Sequence, residues 1–429
     1  MTSTDSESLW HNRNFRRFFF GQFVTNAGDS LYTVAVMWLV FELSGSTVLT
    51  GIANAILLLP WLLQIFVGPV VDRLPLKPLL VGSQLLQGAV VLVIPLAAFT
   101  GRLSVGVVFS VLPVLMLASL IAAPMRAAIV PRIVRKSELS RANSSLATIT
   151  LGLDMVFDAL GGILIAVVGV TTLFLIDSVT FAVAALLFAG MVIPPPTDEE
   201  PTTTDDSVVR SYVDDLQAGI NVLRGTVFVE LVALAAVANL ATGITLAILP
   251  AFADSLGGPA IYGFLLGALG IGRLVGSLIA PSLETVAYGR LVLVGYAIGA
   301  CCWLAAVYAP STTLTVVLFG AAWIAGGVDG VLTSTLNQSI FPDVLLGRVS
   351  ATKGTAAGAT LPLGSLIGGV VAELLGTTTT MALSAFGFGT IALYALVRPR
   401  VRNLPAVADA TPADFGVSVE VDPAHENGM

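Results

Sequence analysis

The sequence is short of charge: 11% of its 429 residues are Asp, Glu, Lys or Arg, whereas 56% are hydrophobic. Soluble domains carry about 25% charged residues, so this composition excludes an ordinary soluble protein. Cysteine and histidine are also scarce, at two residues each. Cys301 and Cys302 are adjacent within an apolar run and indicate no disulfide framework. His11 and His425 lie in the terminal segments, so they provide no metal cluster.

Catalytic motifs are missing as well. No nucleophile constellation or phosphate-binding loop stands out, and the glycine-rich run at 267–272 lies inside an apolar segment, where close helix packing explains it better. The first apolar run is too long for a cleavable signal peptide and carries Asp29. We therefore expect no enzyme activity, no metal site, no cofactor and no removable leader.

Long apolar runs dominate what remains. About 20 apolar residues cross a bilayer as a helix, and the alternation typical of membrane strands is lacking. The runs predict an all-α membrane protein with twelve transmembrane helices, at residues 18–43, 48–71, 78–99, 103–124, 142–168, 171–193, 227–253, 261–283, 291–309, 313–340, 349–375 and 378–397. The predicted units are a cytoplasmic amphipathic N-terminus (1–17), a six-helix bundle (18–193), an acidic cytoplasmic linker (194–226), a second six-helix bundle (227–398) and a disordered cytoplasmic tail (399–429).

The positive charges predict the orientation. If the N-terminal segment is cytoplasmic, every Lys and Arg except Arg102, Arg273 and Lys353 falls on the cytoplasmic side or at its edge. Such asymmetry is typical of membrane proteins, because their cytoplasmic loops are rich in Lys and Arg. We expect a multi-pass protein of the cell (plasma or inner) membrane with both termini in the cytoplasm.

A short charged turn separates the second and third apolar runs. Its spacing, Gly68-x-x-x-Asp72-Arg73-x-x-x-Lys77, puts an acid and two bases at the membrane surface. This spacing resembles the loop between helices 2 and 3 of the major facilitator superfamily of transporters. The resemblance implies that Asp72 bonds the end of a neighbouring helix and that the bases hold a cytoplasmic gate.

Ionisable residues inside the spans predict the transport site. A charge at the middle of a membrane helix costs about 2.5–3.5 kcal/mol on insertion scales, so it should face a cavity or a partner. Asp154 and Asp158 share one helical face, where two carboxylates repel and their titrations couple. The expected proton-coupling or substrate-cavity residues are Asp29, Asp154, Asp158, Arg273 and Asp329. Polar neighbours could satisfy the acids instead, and Arg273 could pair with Asp329.

The two halves of the chain carry a weak internal repeat. Residues 141–169 and 348–376 align without gaps, and their five identities include two glycine pairs, Gly161 with Gly162 and Gly368 with Gly369. Paired glycines let helices approach closely, which is the packing role we expect for these four. Parallel six-span repeats predict two related bundles with a central cavity between the halves.

With these features, the chain resembles a major facilitator transporter over nearly its full length. Within the superfamily it resembles the exporters that include macrolide-efflux and enterobactin-export proteins. The resembling stretches are residues 14–17, 26–29, 42–46, 68–77, 174–178, 338–342 and 347–349. One departure is in the fifth span, where Val156, Phe157 and Asp158 replace the Ala-Gly-Pro of the antiporter motif.

The resemblance implies a secondary active transporter that exports hydrophobic or cationic small molecules by alternating access. It is expected to act as a monomer in the lipid bilayer, without nucleic acid. The surplus of acidic residues in the spans requires neutralisation by protons, by other cations or by a cationic substrate, and the expected coupling ion is a proton or sodium. Two alternatives stay open: the cargo is a siderophore, lysolipid or other amphipathic metabolite, or the chain is a non-transporting membrane receptor.

Overall fold

The computed structural model describes residues 9–63, 74–194, 217 and 219–417. Seven side chains in these ranges are outside the description: Trp61, Leu62, Thr150, Leu151, Asp154, Asp343 and Val344. The described chain is helical and has no β-strand, apart from one isolated bridge between Ala287 and Ala406. An all-helical membrane fold is therefore confirmed over these residues.

The N-terminal half begins with a well-capped helix, because the Asn12 side chain accepts hydrogen bonds from the backbone N–H groups of Asn14 and Phe15. A π-helical turn at Ile149–Leu153 divides the fifth predicted span, which is therefore not one continuous α-helix. The helices of this half are α1 Arg13–Ser44, α2 Thr47–Leu63, α3 Leu76–Val91, α4 Val93–Phe99, α5 Val105–Ser119, α6 Ala122–Ile133, α7 Leu139–Thr148, α8 Asp154–Val168 and α9 Val170–Ala189.

The C-terminal half has longer uninterrupted helices. They are α10 Phe228–Leu256, α11 Pro259–Ile279, α12 Tyr288–Val307, α13 Thr312–Ala322, α14 Ile324–Ile340, α15 Asp343–Gly358, α16 Thr360–Leu375, α17 Thr377–Val397 and the short α18 Pro399–Arg402. Gly376 links α16 to α17 with a φ of +84°, and Gly169 links α8 to α9 with a φ of +81°. Only glycine adopts this backbone cheaply, and these two glycines are aligned in the internal repeat.

Nine helical segments within the described residues are long and apolar enough to cross a membrane: Leu76–Phe99, Val105–Ile133, Val170–Ala189, Phe228–Leu256, Pro259–Leu283, Tyr288–Val307, Thr312–Ile340, Leu345–Leu375 and Thr377–Val397. Two apolar helices are shorter, Thr47–Pro60 and Met155–Val168. The helix α1 covers the first predicted span, but Gln22, Asn26 and Asp29 lower its hydropathy. A multi-pass membrane protein is thus confirmed, whereas the count of twelve spans stays a prediction.

The two ends of the helical bundle differ in charge. We call the end where α1, α3 and α12 begin the basic end, since Arg13, Lys77 and Arg290 lie there. The opposite end is where α1 and α16 finish, at Ser44 and Leu375. The predicted orientation depends on this difference in charge, because it places the basic end in the cytoplasm.

The helices α2 and α16 join the two halves at the opposite end. Glu373 of α16 accepts hydrogen bonds from the backbone N–H of Thr47 at 3.2 Å and from its hydroxyl at 3.1 Å. Two turns deeper, Asn54 of α2 donates to the hydroxyl of Ser365 at 2.8 Å. The contact therefore extends from the opposite end toward the middle of the bundle.

The second glycine of each predicted pair lies between the halves. A Cβ on Gly369 would lie 3.2 Å from Cα of Gly51 in α2. A Cβ on Gly263 of α11 would lie 2.9 Å from Cα of Gly162 in α8. Two helix pairs, α2 with α16 and α8 with α11, thus bring the halves together backbone to backbone.

The first glycine of each pair lies within its own half. A Cβ on Gly161 would lie 3.0 Å from the Cβ of Val34 in α1, the first helix of that half. A Cβ on Gly368 would lie 2.6 Å from Cα of Ile244 in α10, the first long helix of the other half. The glycines aligned by the internal repeat therefore meet corresponding helices.

The tail corrects one prediction, because residues 399–417 are folded rather than disordered. Phe415 is 0% exposed and stacks on Phe228 with ring centroids 5.1 Å apart. Its carbonyl accepts the backbone N–H of Val227 at 3.0 Å. Hydrogen bonds from Thr411 to Asp414 lower the pKa of that carboxyl below its usual range. The apolar residues of the tail thus pack it against the start of α10. Residues 418–429 lie outside the described part of the structure.

Candidate functional site

A small polar cavity of about 60 Å³ lies inside the N-terminal half. The guanidinium of Arg126 donates to Oε1 of Gln22 at 3.1 Å, and the Thr25 hydroxyl donates to Oε1 of Gln84 at 2.9 Å. Polar residues of α1, α3 and α6 line it: Gln22, Thr25, Asn26, Asp29, Ser83, Gln84, Gln87 and Arg126. The predicted residue Asp29 therefore faces a cavity, together with the half-buried Arg126.

Arg126 is a residue that sequence reasoning missed. It also lines a larger cavity of about 610 Å³, with Val130, Pro131 and Asn143 among its neighbours. A base near the membrane surface satisfies the positive-inside rule without any further role, so nothing singled it out. The signal that could have found it is the polar stripe on α1, where Gln22, Asn26 and Asp29 recur at helical spacing.

Asp177 of α9 is the other acid of this half that sequence reasoning undervalued. Its side chain is 0% exposed and packs where α1 and α9 meet, against Gly28. The charges of Asp29 and Asp177 act on one another. The packing of these helices thus brings an acid of the first span within electrostatic range of an acid of the sixth.

The two acids of the fifth span both belong to α8. Asp154 is its first residue, and its side chain is outside the described part of the structure. Asp158 is half-buried one turn later, and its charge acts on Tyr262 of α11. Tyr262 in turn stacks on Trp38 with ring centroids 6.1 Å apart. Asp158 therefore lies near the contact between the halves rather than in the polar cavity with Asp29.

A carboxylate with several donors occupies the C-terminal half. The hydroxyl of Tyr288 donates to Oδ1 of Asp329 at 2.6 Å, and that of Tyr296 donates to Oδ2 at 3.0 Å. The Thr333 hydroxyl, one turn along α14, lies 3.4 Å from Oδ1. The positive charge of Lys353 also acts on this carboxylate. These three hydroxyl groups thus give the buried Asp329 carboxyl its hydrogen-bond partners.

Two cavities meet at this carboxylate. The first, of about 190 Å³, is lined by Asp329, both tyrosines, Lys353 and apolar residues of α10. The second, of about 290 Å³, is an apolar groove between α11, α12 and α14 that also reaches Asp329. Lys353 donates to Oδ1 of Asn337 at 2.5 Å and lies 4.4 Å from the centre of the Phe228 ring. This arrangement can hold an amphipathic molecule against a polar centre.

The structure does not pair Arg273 with Asp329. Among the described side chains, Arg273 instead lies over the Trp323 ring, 4.7 Å from its centre, where cation–π attraction stabilises it. The predicted residues do not line one common cavity: Asp29 lines a cavity of the N-terminal half, and Asp329 lines one of the C-terminal half. The tyrosines were missed because tyrosine in a membrane helix is usually interfacial, and only their tertiary position reveals the carboxylate beside them.

The predicted gate motif is only partly visible. Gly68, Asp72 and Arg73 lie outside the described residues. Lys77 is the second residue of α3 and is half-buried at the basic end. In the described part of the chain, no three His, Cys, Asp or Glu side chains are grouped so as to hold a metal ion.

Comparisons with known proteins cover nearly the whole chain. The model of the family described as "Transmembrane secretion effector" matches residues 7–429. The multidrug efflux pump Tap of Mycobacterium tuberculosis is 25% identical over 405 residues, covering 91% of this chain and 94% of Tap. The uncharacterized MFS-type transporter YvqJ of Bacillus subtilis is 29% identical over 143 residues, covering 33% of this chain and 34% of YvqJ.

Solved structures show the same fold at low identity. A bacterial homolog of the human lysosomal transporter Spinster, in an inward-facing and occupied conformation, has a TM-score of 0.68 at 12% identity. That match covers 92% of this chain and 98% of the other. The nucleoside transporter NupG has a TM-score of 0.66 at 12% identity, covering 89% and 98%.

Proposed function

The chain belongs to the transmembrane secretion effector family of major facilitator transporters, and on that premise we propose that it exports hydrophobic or cationic small molecules in exchange for protons. The observation that carries the proposal is the match to the multidrug efflux pump Tap across 91% of the chain. We further propose twelve spans in two six-helix repeats, with both termini in the cytoplasm.

An alternating-access cycle accounts for the way the halves meet. The glycine contacts between the halves lie toward the opposite end, at Gly263 near the start of α11 and at Gly369 near the end of α16. A cavity of about 610 Å³, lined by residues of the N-terminal half, lies at the basic end. With the basic end in the cytoplasm, this state is inward-facing, and opening the other end requires the two glycine contacts to separate.

Proton coupling is supported by the surplus of acid in the membrane. Asp29, Asp158, Asp177 and Asp329 lie within membrane helices, together with the bases Arg273 and Lys353. Carboxylates at this depth are costly unless they are paired, solvated or protonated. Binding protons on one side and releasing them on the other gives such groups a role in driving export.

The test is substrate-dependent proton flux in proteoliposomes under an imposed pH gradient, with lipophilic cations and neutral drugs as substrates. We expect flux in the wild type and its loss in Asp154→Asn and Asp158→Asn. Wild-type flux from both variants would remove the fifth-span acids from the coupling step.

The same preparation tests the alternatives. Flux that appears only when sodium is supplied would make sodium the coupling ion. If the drugs produce no proton flux but a siderophore or lysolipid is transported, the proposed cargo would change and the transport cycle would stand. No flux with any of these compounds would refute secondary transport of drug-like molecules.

A further inference from the structure

We propose that Asp177 of α9 is a proton-binding group, holding a neutral carboxyl at neutral pH and exchanging its proton through Asp29. Its part in transport rests on the proposed proton coupling, whereas the bound proton can be measured without any substrate. Asp177 was not among the acids predicted to take part in coupling.

The position of Asp177 follows from the packing of α1 on α9. The two helices run antiparallel, with Gly28 against Asp177 and the Tyr32 ring 5.8 Å from that of Phe174. A Cβ on Gly28 would overlap the Asp177 carboxylate and the Thr180 hydroxyl, so only glycine leaves room for them. The carboxyl group is 0% exposed and lies eight residues into the membrane helix Val170–Ala189.

The carboxyl group has almost no donors. The Thr180 hydroxyl lies 3.2 Å from Oδ1, but it also lies 2.7 Å from the backbone carbonyl oxygen of Asp177. One hydroxyl has one proton, so the nearer carbonyl competes for it. In the described structure, Oδ2 of Asp177 is buried without a hydrogen-bond partner. The Tyr32 hydroxyl is likewise buried and makes no hydrogen bond there. A charged carboxylate in this setting lacks the hydrogen bonds that would offset its burial.

Asp329 provides the contrast within the same protein. It accepts hydrogen bonds from two tyrosines, at 2.6 and 3.0 Å, and the charge of Lys353 acts on it. Donors and a nearby positive charge both favour the ionised form, whereas burial without them favours the protonated form. The two buried acids therefore differ in hydrogen bonding: Asp329 has a donor on each oxygen, whereas Asp177 has a single contested hydroxyl.

The surroundings of Asp177 supply a route for its proton. The charges of Asp29 and Asp177 act on one another, and both act on Tyr32 of α1. The helix α3 brings Gly88, whose carbonyl accepts a hydrogen bond from the Ser178 hydroxyl at 2.9 Å. Asp29 lines the polar cavity, so it links Asp177 to water. Two acids whose charges act on one another do not ionise together easily, so a charge on Asp29 favours a protonated Asp177. The proton adds to Oδ2, and no other bond changes.

The experiment is infrared difference spectroscopy of the full chain in liposomes at neutral pH, without substrate. We expect a carbonyl band of a protonated carboxylic acid that shifts in heavy water. The band should vanish in Asp177→Asn and persist in the matched control Asp329→Asn. Asp29→Asn should keep the band and slow its exchange.

Folding is monitored by the thermal melting temperature. Asparagine resembles a neutral carboxyl, so Asp177→Asn should melt as the wild type does, whereas Asp329→Asn should melt at a lower temperature. An unchanged band in Asp177→Asn, or a larger melting loss there than in Asp329→Asn, overturns the proposal. Wild-type liposomes that show the band but no substrate-driven proton flux would refute the proposed function instead, leaving the bound proton established.

Discussion

The contact between Gly162 and Gly263 makes a quantitative prediction about the transport cycle. A Cβ added to Gly263 lies 2.5 Å from the Ala159 carbonyl oxygen and 2.9 Å from Cα of Gly162, against 3.4–4 Å for ordinary contacts. The neighbours are backbone atoms, which cannot rotate away. Alanine at Gly263 should therefore destabilise the state in which α8 and α11 touch.

The size of this effect follows from the cost of overpacking. Inserting a methyl group into a well-packed contact costs about 1–3 kcal/mol. When the halves separate at this end, the extra methyl group meets no backbone, so the cost falls on one state alone. Since about 1.4 kcal/mol is tenfold in an equilibrium constant, Gly263→Ala should shift the population by roughly 5-fold to 150-fold.

The assay is a distance measurement between spin labels across the basic end. Labels at Lys136→Cys and Arg290→Cys, both exposed positions, report how far the halves are apart, after Cys301 and Cys302 are replaced by serine. Closing the basic end should move the distribution toward shorter distances in Gly263→Ala.

The matched control is a glycine with open space around it. A Cβ on Gly326 meets nothing within 4 Å, so Gly326→Ala should leave the distances unchanged. An unaltered helical circular dichroism signal excludes unfolding as the cause. A wild-type distance distribution in Gly263→Ala would refute the reasoning, because it would mean that the glycine contact does not select between the states.

Two further predictions concern the ends of the molecule. Glu373→Ala removes the acceptor for the backbone N–H and hydroxyl of Thr47, so it should favour the same shorter distances. Because Glu373 is exposed, the expected shift in the equilibrium is about 0.5–1.5 kcal/mol, and unchanged distances would contradict a cross-half role. Phe415→Ala removes the stack on Phe228 and should cost about 3–5 kcal/mol, measured as a lower melting temperature of the full chain; an unchanged melting temperature would mean that the tail does not stabilise the bundle.

Sequence reasoning was most reliable where a property is summed along the chain. Hydropathy over about 20 residues indicates a membrane helix without knowledge of its neighbours. The internal repeat aligned Gly169 with Gly376, and both adopt a positive φ at the end of corresponding helices. It was least reliable for the tail, because Val407 and Phe415 find their apolar partners only in the folded molecule.

The hydrogen-bond partners of each acid were beyond sequence reasoning. Hydropathy treats Asp177 and Asp329 alike, but the two tyrosine donors of Asp329 come from α12, 33 and 41 residues away. The same packing left Asp177 with a single contested hydroxyl, and it drew Arg273 to Trp323 rather than to an acid.

The sequence by itself determined the helical membrane fold, the polarity of the two ends and the family to which the chain belongs, because these depend on composition and local pattern. Only the tertiary structure decided which acids gain donors, which cavities they line and where the halves touch. Hydrogen bonds act over about 3 Å, so their partners are chosen by helix packing rather than by distance along the chain.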